Sequence, residues 1–367
     1  MRNVFEPSFG NRPERIVGRD DILEIVDRGL ASRAGSRDRA MIVIGQRGMG
    51  KTALLLEVES RAREAGYVTA RTAANESMLD GLIERLQVNG REYVEDGKRK
   101  VRGLSAGAFG FSLGLTFSEE VRDNYGFQTK LALLCDRLSD CGKGVLLLVD
   151  EVRASSSEMR VLADAYQQLV GDGKNIAICM AGLPSAVSDV LNDRVLTFLN
   201  RARKIHLEAL PLPSIRSYFA ETFERVGLAF ADGVLEDAVV ATRGFPYLLQ
   251  LVGYYLIEES GGRTEIDQGT LVRALLDARD DMQDNVFRPT LAELSPKDVE
   301  FLVALANASG ADGVGGVSAV ATAMGKDNGY IQVYRKRLID AGVLTSPRKG
   351  ELECVVPFLL ESLSGRL

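Results

Sequence analysis

Two short stretches carry residue types and spacings that can do chemistry. Residues 45–52 run Gly45-Gln46-Arg47-Gly48-Met49-Gly50-Lys51-Thr52, a complete G-x-x-x-x-G-K-T loop. Glycines so spaced let backbone N–H groups wrap phosphate oxygens. A following helix N-terminus adds partial positive charge, the lysine reaches the β- and γ-phosphates, and the threonine hydroxyl can ligate Mg²⁺. The second stretch is Leu146-Leu147-Leu148-Val149-Asp150-Glu151, about 100 residues downstream, an acidic pair directly after an apolar run. Asp150 is suited to hold the Mg²⁺ shell through water, and Glu151 to polarise an attacking water as general base. The plain alternatives are a Gly-rich turn and an acidic helix start. Taken together, the two motifs point to one Mg·nucleoside triphosphate site.

The flanking elements fit that reading. Ala40-Met41-Ile42-Val43-Ile44 is an apolar, β-branched run of strand length, and Thr52 to Glu59 holds good helix formers. Tyr67 to Arg71 reads as a second strand and Glu76 to Leu86 as a helix. Gln128 to Leu138 is helical, and Gly144 to Val149 is an apolar run typical of a strand buried on both faces. Met159 to Val170 is helical, Ile176 to Met180 is another buried strand, and Lys204 to Leu207 a short last one. Strands alternating with helices predict an α/β fold with a parallel sheet, the ligand at the C-terminal strand ends. Residues 101–117 interrupt the pattern. Phe109, Phe111, Leu113, Leu115 and Phe117 alternate with small residues, which reads as an inserted strand or hairpin within about residues 90–120. It could be an edge element packed on the domain, or an oligomer or partner contact.

Composition bounds the rest. The chain has 367 residues, 46% hydrophobic and 26% charged, enough for two or three domains. A net charge of −6 means that nucleic-acid binding would need a local basic surface. With Cys135, Cys141, Cys179 and Cys354 in no C-x-x-C pair and His206 the one histidine, a zinc site is not expected. Cys135 and Cys179 read as core thiols, consistent with a reducing, cytoplasmic setting. Met1 to Asp20 has no apolar leader-like run, and no long hydrophobic span follows, so no membrane partner is expected.

Leu210-Pro211-Leu212-Pro213 punctuates the chain, and from Ser214 to about Asp284 only helical patterns occur. A second boundary is expected near Arg288-Pro289. Ser295 then reads as an N-cap with Pro296 in the first turn. Val317 to Met324 and Asp327 to Ala341 are helical, and Ser346-Pro347-Arg348-Lys349-Gly350 lies between strand-like flanks. Three helices, then a turn between two strands, is the order of a winged helix. The expected organisation is a core over 1–210, a helical lid over 211–288 and a winged-helix domain over 289–367.

On these residues the chain resembles the AAA+/STAND branch of P-loop ATPases. Ile16-Val17-Gly18-Arg19-Asp20-Asp21 is similar to the V-G-R-[DE] box that precedes the first strand there, and the resemblance implies that Val17, Gly18 and Arg19 lie near an adenine. The loop with Arg47 is similar to the archaeal-ATPase variant. Gly244-Phe245-Pro246 resembles the G-x-P motif of STAND proteins, which implies that Pro246 packs near the base or ribose and couples the lid to nucleotide state. The C-terminal order is similar to that of archaeal ATPases and origin-recognition-type initiators. Implied cofactors are ATP or ADP with Mg²⁺.

The departures have consequences. Where the family usually has a polar sensor at the end of its fourth core strand, this chain has Ala181-Gly182-Leu183-Pro184, with Ser185 next. Tyr247 stands near the usual place of a sensor arginine, with Arg243 just before it. Both departures imply slow hydrolysis. The resemblance also makes Arg201 and Arg203 arginine-finger candidates toward a neighbouring subunit in a homo-oligomer, or else surface arginines. In the C-terminal part, Gln332, Arg335, Lys336 and Arg337 on the third helix, with Arg348 and Lys349 in the turn, could meet double-stranded DNA. Yet Lys/Arg and Asp/Glu balance at eight each over 295–367, so a protein-contact winged helix stays open. The expectation is an ATP-dependent switch with a winged-helix output. A replication initiator or transcription regulator and a signalling or defence scaffold are the alternatives.

Overall fold

The structure is a computed structural model, and it describes residues 3–8, 10, 13–100, 111–153, 156–193, 196–310 and 313–365. Five parallel strands form its central sheet, in the spatial order Tyr67–Ala73, Gly144–Asp150, Ile176–Gly182, Ala40–Ile44, Arg203–His206. The strand before the glycine-rich loop is thus separated from the strand bearing the acidic pair by one other. Ile44 lies opposite Gly182 and His206, and Ala73 opposite Asp150, so these C-terminal ends share one edge of the sheet.

Alternation of side chains sorts the strands into two cores. Met41, Val43, Leu146, Leu148, Ala177 and Cys179 face one layer, where the helices Asp20–Ala31 and Lys51–Glu64 bury Val26, Leu30, Leu54, Leu55 and Val58. Ile42, Val145, Leu147, Val149, Ile178 and Met180 face the other, against Met78–Lys100, Phe127–Ser139 and Ser157–Gly171. Both faces of the central strands are covered, which is why they read as unbroken apolar runs.

Several elements differ from expectation. The helix expected over Glu76–Leu86 runs Met78–Lys100. Gly90 weakens its signal, yet a Cβ there would sit 2.7 Å from Leu115 and 2.9 Å from Leu138, so the glycine admits a close neighbour. That neighbour belongs to an antiparallel hairpin, Phe111–Leu113 with Thr116–Phe117, whose Leu115 and Phe117 are buried against the domain. The expected alternation at Phe109 and Gly110 lies outside the described residues.

Beyond the sheet come the helices Leu212–Arg225, Val234–Ala241, Pro246–Ser260 and Gln268–Met282. A two-residue parallel pair, Ala229–Phe230 with Glu265–Ile266, ties them together and is too short to leave a pattern. The backbone stays helical through Arg288-Pro289. Five π-helical residues, Gln283–Phe287, widen the turn just before the proline removes an amide donor, and the helix ends at Ala292.

The final part places helices Pro296–Ala308, Val317–Ala323 and Asn328–Asp340 against an antiparallel sheet ordered Val314–Gly316, Glu351–Cys354, Leu344–Thr345. Ser295 and Asp298 form the capping box of the first helix. The strand Val314–Gly316 has too many glycines to announce itself. Among the described residues no helix is long and apolar enough to cross a membrane.

Candidate functional site

The glycine-rich loop leaves the strand Ala40–Ile44 at the C-terminal edge of the sheet and enters the helix that starts at Lys51. Gly48 and Gly50 take left-handed conformations, with φ of 77° and 83°. At Gly48 space is limiting as well. A Cβ would lie 2.5 Å from the ring of Phe245, and the Gly48 carbonyl accepts from the Tyr247 amide at 3.1 Å. The loop is therefore roofed by Phe245-Pro246-Tyr247 at the start of the helix Pro246–Ser260. Gly244, at φ 71°, permits that approach: a Cβ there would be 2.7 Å from the Leu210 carbonyl. Tyr247 is in turn held through its hydroxyl, which accepts from Asn285 at 3.1 Å.

Lys51 Nζ donates to the Gln46 carbonyl at 2.9 Å, curling back over its own loop. Burial pushes its ammonium down to about 8, and the Asp150 charge opposes that shift. Thr52 Oγ1 donates to Asp150 Oδ2 at 2.7 Å, so the two motifs meet. The other Asp150 oxygen accepts from the Glu151 amide at 2.9 Å. Glu151 itself is exposed, with φ 54°, a conformation that costs a residue other than glycine about 1–3 kcal/mol. Its carboxylate is 3.9 Å from Arg153.

These residues open onto a cavity of about 270 Å³. Gly48, Lys51, Thr52, Asp150 and Glu151 line its polar end, and Ile16, Val17, Leu54, Leu210, Leu249 and Pro246 its apolar part. Gly18, at φ 61°, lets the chain pass Pro211. Arg19 is buried and donates to the Glu208 carbonyl at 2.6 Å, so it braces the segment that leads from the last strand of the sheet to the helix Leu212–Arg225. The lining thus combines groups suited to an anion with apolar surface.

The departures noted in the sequence acquire physical reasons. A Cβ at Gly182 would fall 2.6 Å from Val152, so packing leaves no room for a polar side chain there. Arg243 turns away from the loop. It pairs with Glu361 at 2.6 Å and lies 4.1 Å from the Phe358 ring. Arg203 begins its strand opposite Met41, at the far end of the sheet from the loop, and pairs with Asp38. Arg201 is exposed nearby, its carbonyl accepting from Arg37 at 3.1 Å. Neither arginine can reach its own chain's loop.

The basic residues of the C-terminal part do not form one free patch. Arg337 grips the buried Asp298 carboxylate at 2.6 and 2.9 Å and the Ser295 hydroxyl at 2.7 Å. Arg335 donates to Gln332 at 3.2 Å. Lys336 is exposed beside Arg337 and Asp340 on a cleft of about 650 Å³ that faces Ser185 and Asp189. Arg348 and Lys349 are exposed in the turn, Arg348 being 4.0 Å from Glu351.

Two contacts were not foreseeable. Gln46 donates its side-chain amide to the Ala341 carbonyl, and Arg47 pairs with Glu293. Ala341 caps the helix Asn328–Asp340, and Glu293 follows the long helix ending at Ala292. Two of the four variable residues of the loop therefore hold the C-terminal part. No local pattern announces partners 246 and 295 residues away.

Comparison with solved structures places this architecture. The chain is similar to the Walker-type ATPase PABY2304 of Pyrococcus abyssi, with TM-score 0.68, 15% identity and 97% of each chain covered. It is also similar to the ADP form of the Aeropyrum pernix ORC2 protein, with TM-score 0.53 and 16% identity over 99% of this chain and 98% of that one. Cdc6p from Pyrobaculum aerophilum follows, with TM-score 0.50 and 15% identity over 98% and 95%. Residues 284–361 match a family described as a domain of unknown function (DUF8462). No curated protein sequence matches the chain. At such identities the likeness shows the fold alone: an α/β core with a parallel central sheet, followed by a C-terminal domain.

Proposed function

We propose that the chain binds ATP or ADP with Mg²⁺ and acts as a slow ATPase and nucleotide-dependent switch. One observation carries this reading: the loop that can cradle phosphates is the loop that fastens the C-terminal part, through Gln46 and Arg47. An arriving polyphosphate competes with Glu293 for the Arg47 guanidinium, since it carries more negative charge. Lys51 exchanges the Gln46 carbonyl for phosphate oxygens. That frees the peptide next to the side chain that holds Ala341. The backbone amides of the loop and the start of the helix at Lys51 complete the anion site.

The Thr52 hydroxyl and Asp150 carboxylate, 2.7 Å apart, are the hard oxygen donors that suit Mg²⁺, which would neutralise phosphate charge there. Glu151 is the candidate base for an attacking water, standing at the mouth of the cavity with its backbone tied to Asp150. Slow turnover is proposed because Gly182 and Arg243 supply no polar contact to the phosphates in this arrangement.

The output is proposed to be the three helices and three-stranded sheet after Ser295, read as a winged helix. Their order, with a first strand between helices one and two, supports that reading. Gln332, Arg335, Lys336, Arg348 and Lys349 are the proposed DNA contacts; Arg337 is committed to Asp298. Lys336 faces the cleft toward the core, so DNA contact requires the C-terminal part to move off; a homo-oligomer using Arg201 or Arg203 is a separate part of the proposal. A protein-contact output is the second reading, favoured by the Arg337–Asp298 pair, which removes one basic group from the helix face.

The test is a titration with a fluorescent ATP analogue, with hydrogen exchange at the amides of residues 341–343 read in parallel. ATP is expected to raise exchange there, and Lys51→Ala to weaken binding at least about tenfold and abolish the rise. Unchanged affinity in Lys51→Ala would sink the site. Binding without any exchange response would sink the switch.

A further inference from the structure

Gly253 lies in the middle of the helix Pro246–Ser260, where glycine is the least favourable residue apart from proline. Its reason is Phe5. A Cβ at 253 would fall within 2.6 Å of three atoms of the Phe5 ring. The ring is 1% exposed, and its centroid is 5.5 Å from that of Phe223 and 5.8 Å from those of Tyr218 and Phe219. Asn3 donates to the Tyr254 carbonyl at 3.0 Å and accepts from the Phe5 amide at 3.1 Å. The Glu6 amide reaches Gln250 at 3.4 Å. Farther along, Arg225 grips Glu14 through two bonds of 2.5 and 2.6 Å, and Arg15 pairs with Glu221 at 3.0 Å.

Each of these partners is on Leu212–Arg225 or Pro246–Ser260, the lid helices. The same segment lines the cavity through Glu6, Pro7, Ser8, Pro13 and Arg15. The cavity thus has a core wall, made by the glycine-rich loop, and a lid-borne wall, made by the N-terminal segment. Charge assigns the two walls. Lys51 and the loop amides attract phosphate; on the other wall the Glu6 carboxylate repels it, Arg15 is paired with Glu221, and Pro7, Ile16 and Leu249 offer apolar surface.

We propose that residues 3–8, keyed by Phe5 into the notch at Gly253, form the wall that positions the base and ribose of a nucleoside polyphosphate, with Phe5 the positioning residue. The proposal rests on the nucleotide reading given above. The phosphates are held by the core loop alone, and the nucleoside end draws on the strap, so affinity for the two halves of the ligand responds differently to loss of the key. Gly253→Ala is the cleaner perturbation. Alanine favours the helix while its methyl group expels the ring.

Full-length wild type, Phe5→Ala and Gly253→Ala are titrated calorimetrically with ATP and with inorganic tripolyphosphate, with melting curves recorded alongside. Both variants are expected to lose about tenfold in ATP affinity and less than about twofold for tripolyphosphate. The double variant should be no worse than either single one, because both remove the same contact. Unchanged ATP affinity in both folded variants overturns the strap's role and leaves the nucleotide reading standing. Equal loss for both ligands makes Phe5 a merely structural residue and overturns it too. Failure of the wild type to bind ATP overturns both readings.

Discussion

The acidic pair shows how two adjacent carboxylates receive different work from their surroundings. Asp150 ends a buried strand, and both its oxygens are engaged, by the Thr52 hydroxyl and the Glu151 amide. Glu151, one residue on, leaves the sheet in a left-handed conformation and stays exposed. Its side chain is thereby spared structural hydrogen-bonding beyond the distant Arg153. Glu151→Gln is expected to lower ATP hydrolysis at least about 100-fold and to leave ATP affinity within about twofold. A phosphate-release assay beside a binding titration checks both, and unchanged turnover would remove Glu151 from the chemistry. Lys51 and Thr52 were legible as a pair in the sequence because both lie in one eight-residue motif. The Phe245 ring over Gly48 was not, since the clash that excludes a Cβ there comes from a residue 197 positions away.

At the level of elements, local signals succeeded where the physics is local. Ser295 and Pro296 mark a helix start because capping and the proline constraint act within one turn, and the capping box forms there. The same carboxylate that closes the box, Asp298, also receives Arg337 from the third helix, joining two elements at one buried group. Asp298→Ala is expected to cost about 2–3 kcal/mol, by losing the cap and leaving Arg337 without its partner. Arg337→Ala, an exposed group, should cost less. Urea unfolding of both variants measures the difference, and equal costs would mean that the cap contributes nothing. Signals failed where a neighbour overrides propensity. The helix Met78–Lys100 continues through Gly90 because Leu115 and Leu138 pack against it. The long helix continues through Pro289 because a π-turn opens ahead of it.

For the molecule as a whole, the C-terminal part shares one apolar cluster with the rest of the chain, and weak polar ties add to it, one to the glycine-rich loop and one to the helical part before Ser295. Arg47–Glu293 and Arg243–Glu361 are both partly exposed pairs, each worth about 0.2–1 kcal/mol. Ties of that size suit the proposed switch, in which a phosphate chain would displace them. Glu293→Ala combined with Glu361→Ala is expected to change stability by less than about 2 kcal/mol. It should nevertheless raise hydrogen exchange at residues 341–343, without nucleotide, to the level of the ATP-bound wild type. Unchanged exchange would mean that apolar packing alone seats the C-terminal part.

The glycine-rich loop, the acidic pair and the alternating core can be read along the chain, since each is written within a few residues: glycines for left-handed turns, apolar runs for strands covered on both faces. The hold of Gln46 and Arg47 on Ala341 and Glu293, the pairing of Arg337 with Asp298 and the fit of Phe5 against Gly253 emerge only when the chain folds. Each of these is a contact between segments distant along the chain. Its energy depends on where packing brings two surfaces together, and composition and spacing on either side carry no record of the other.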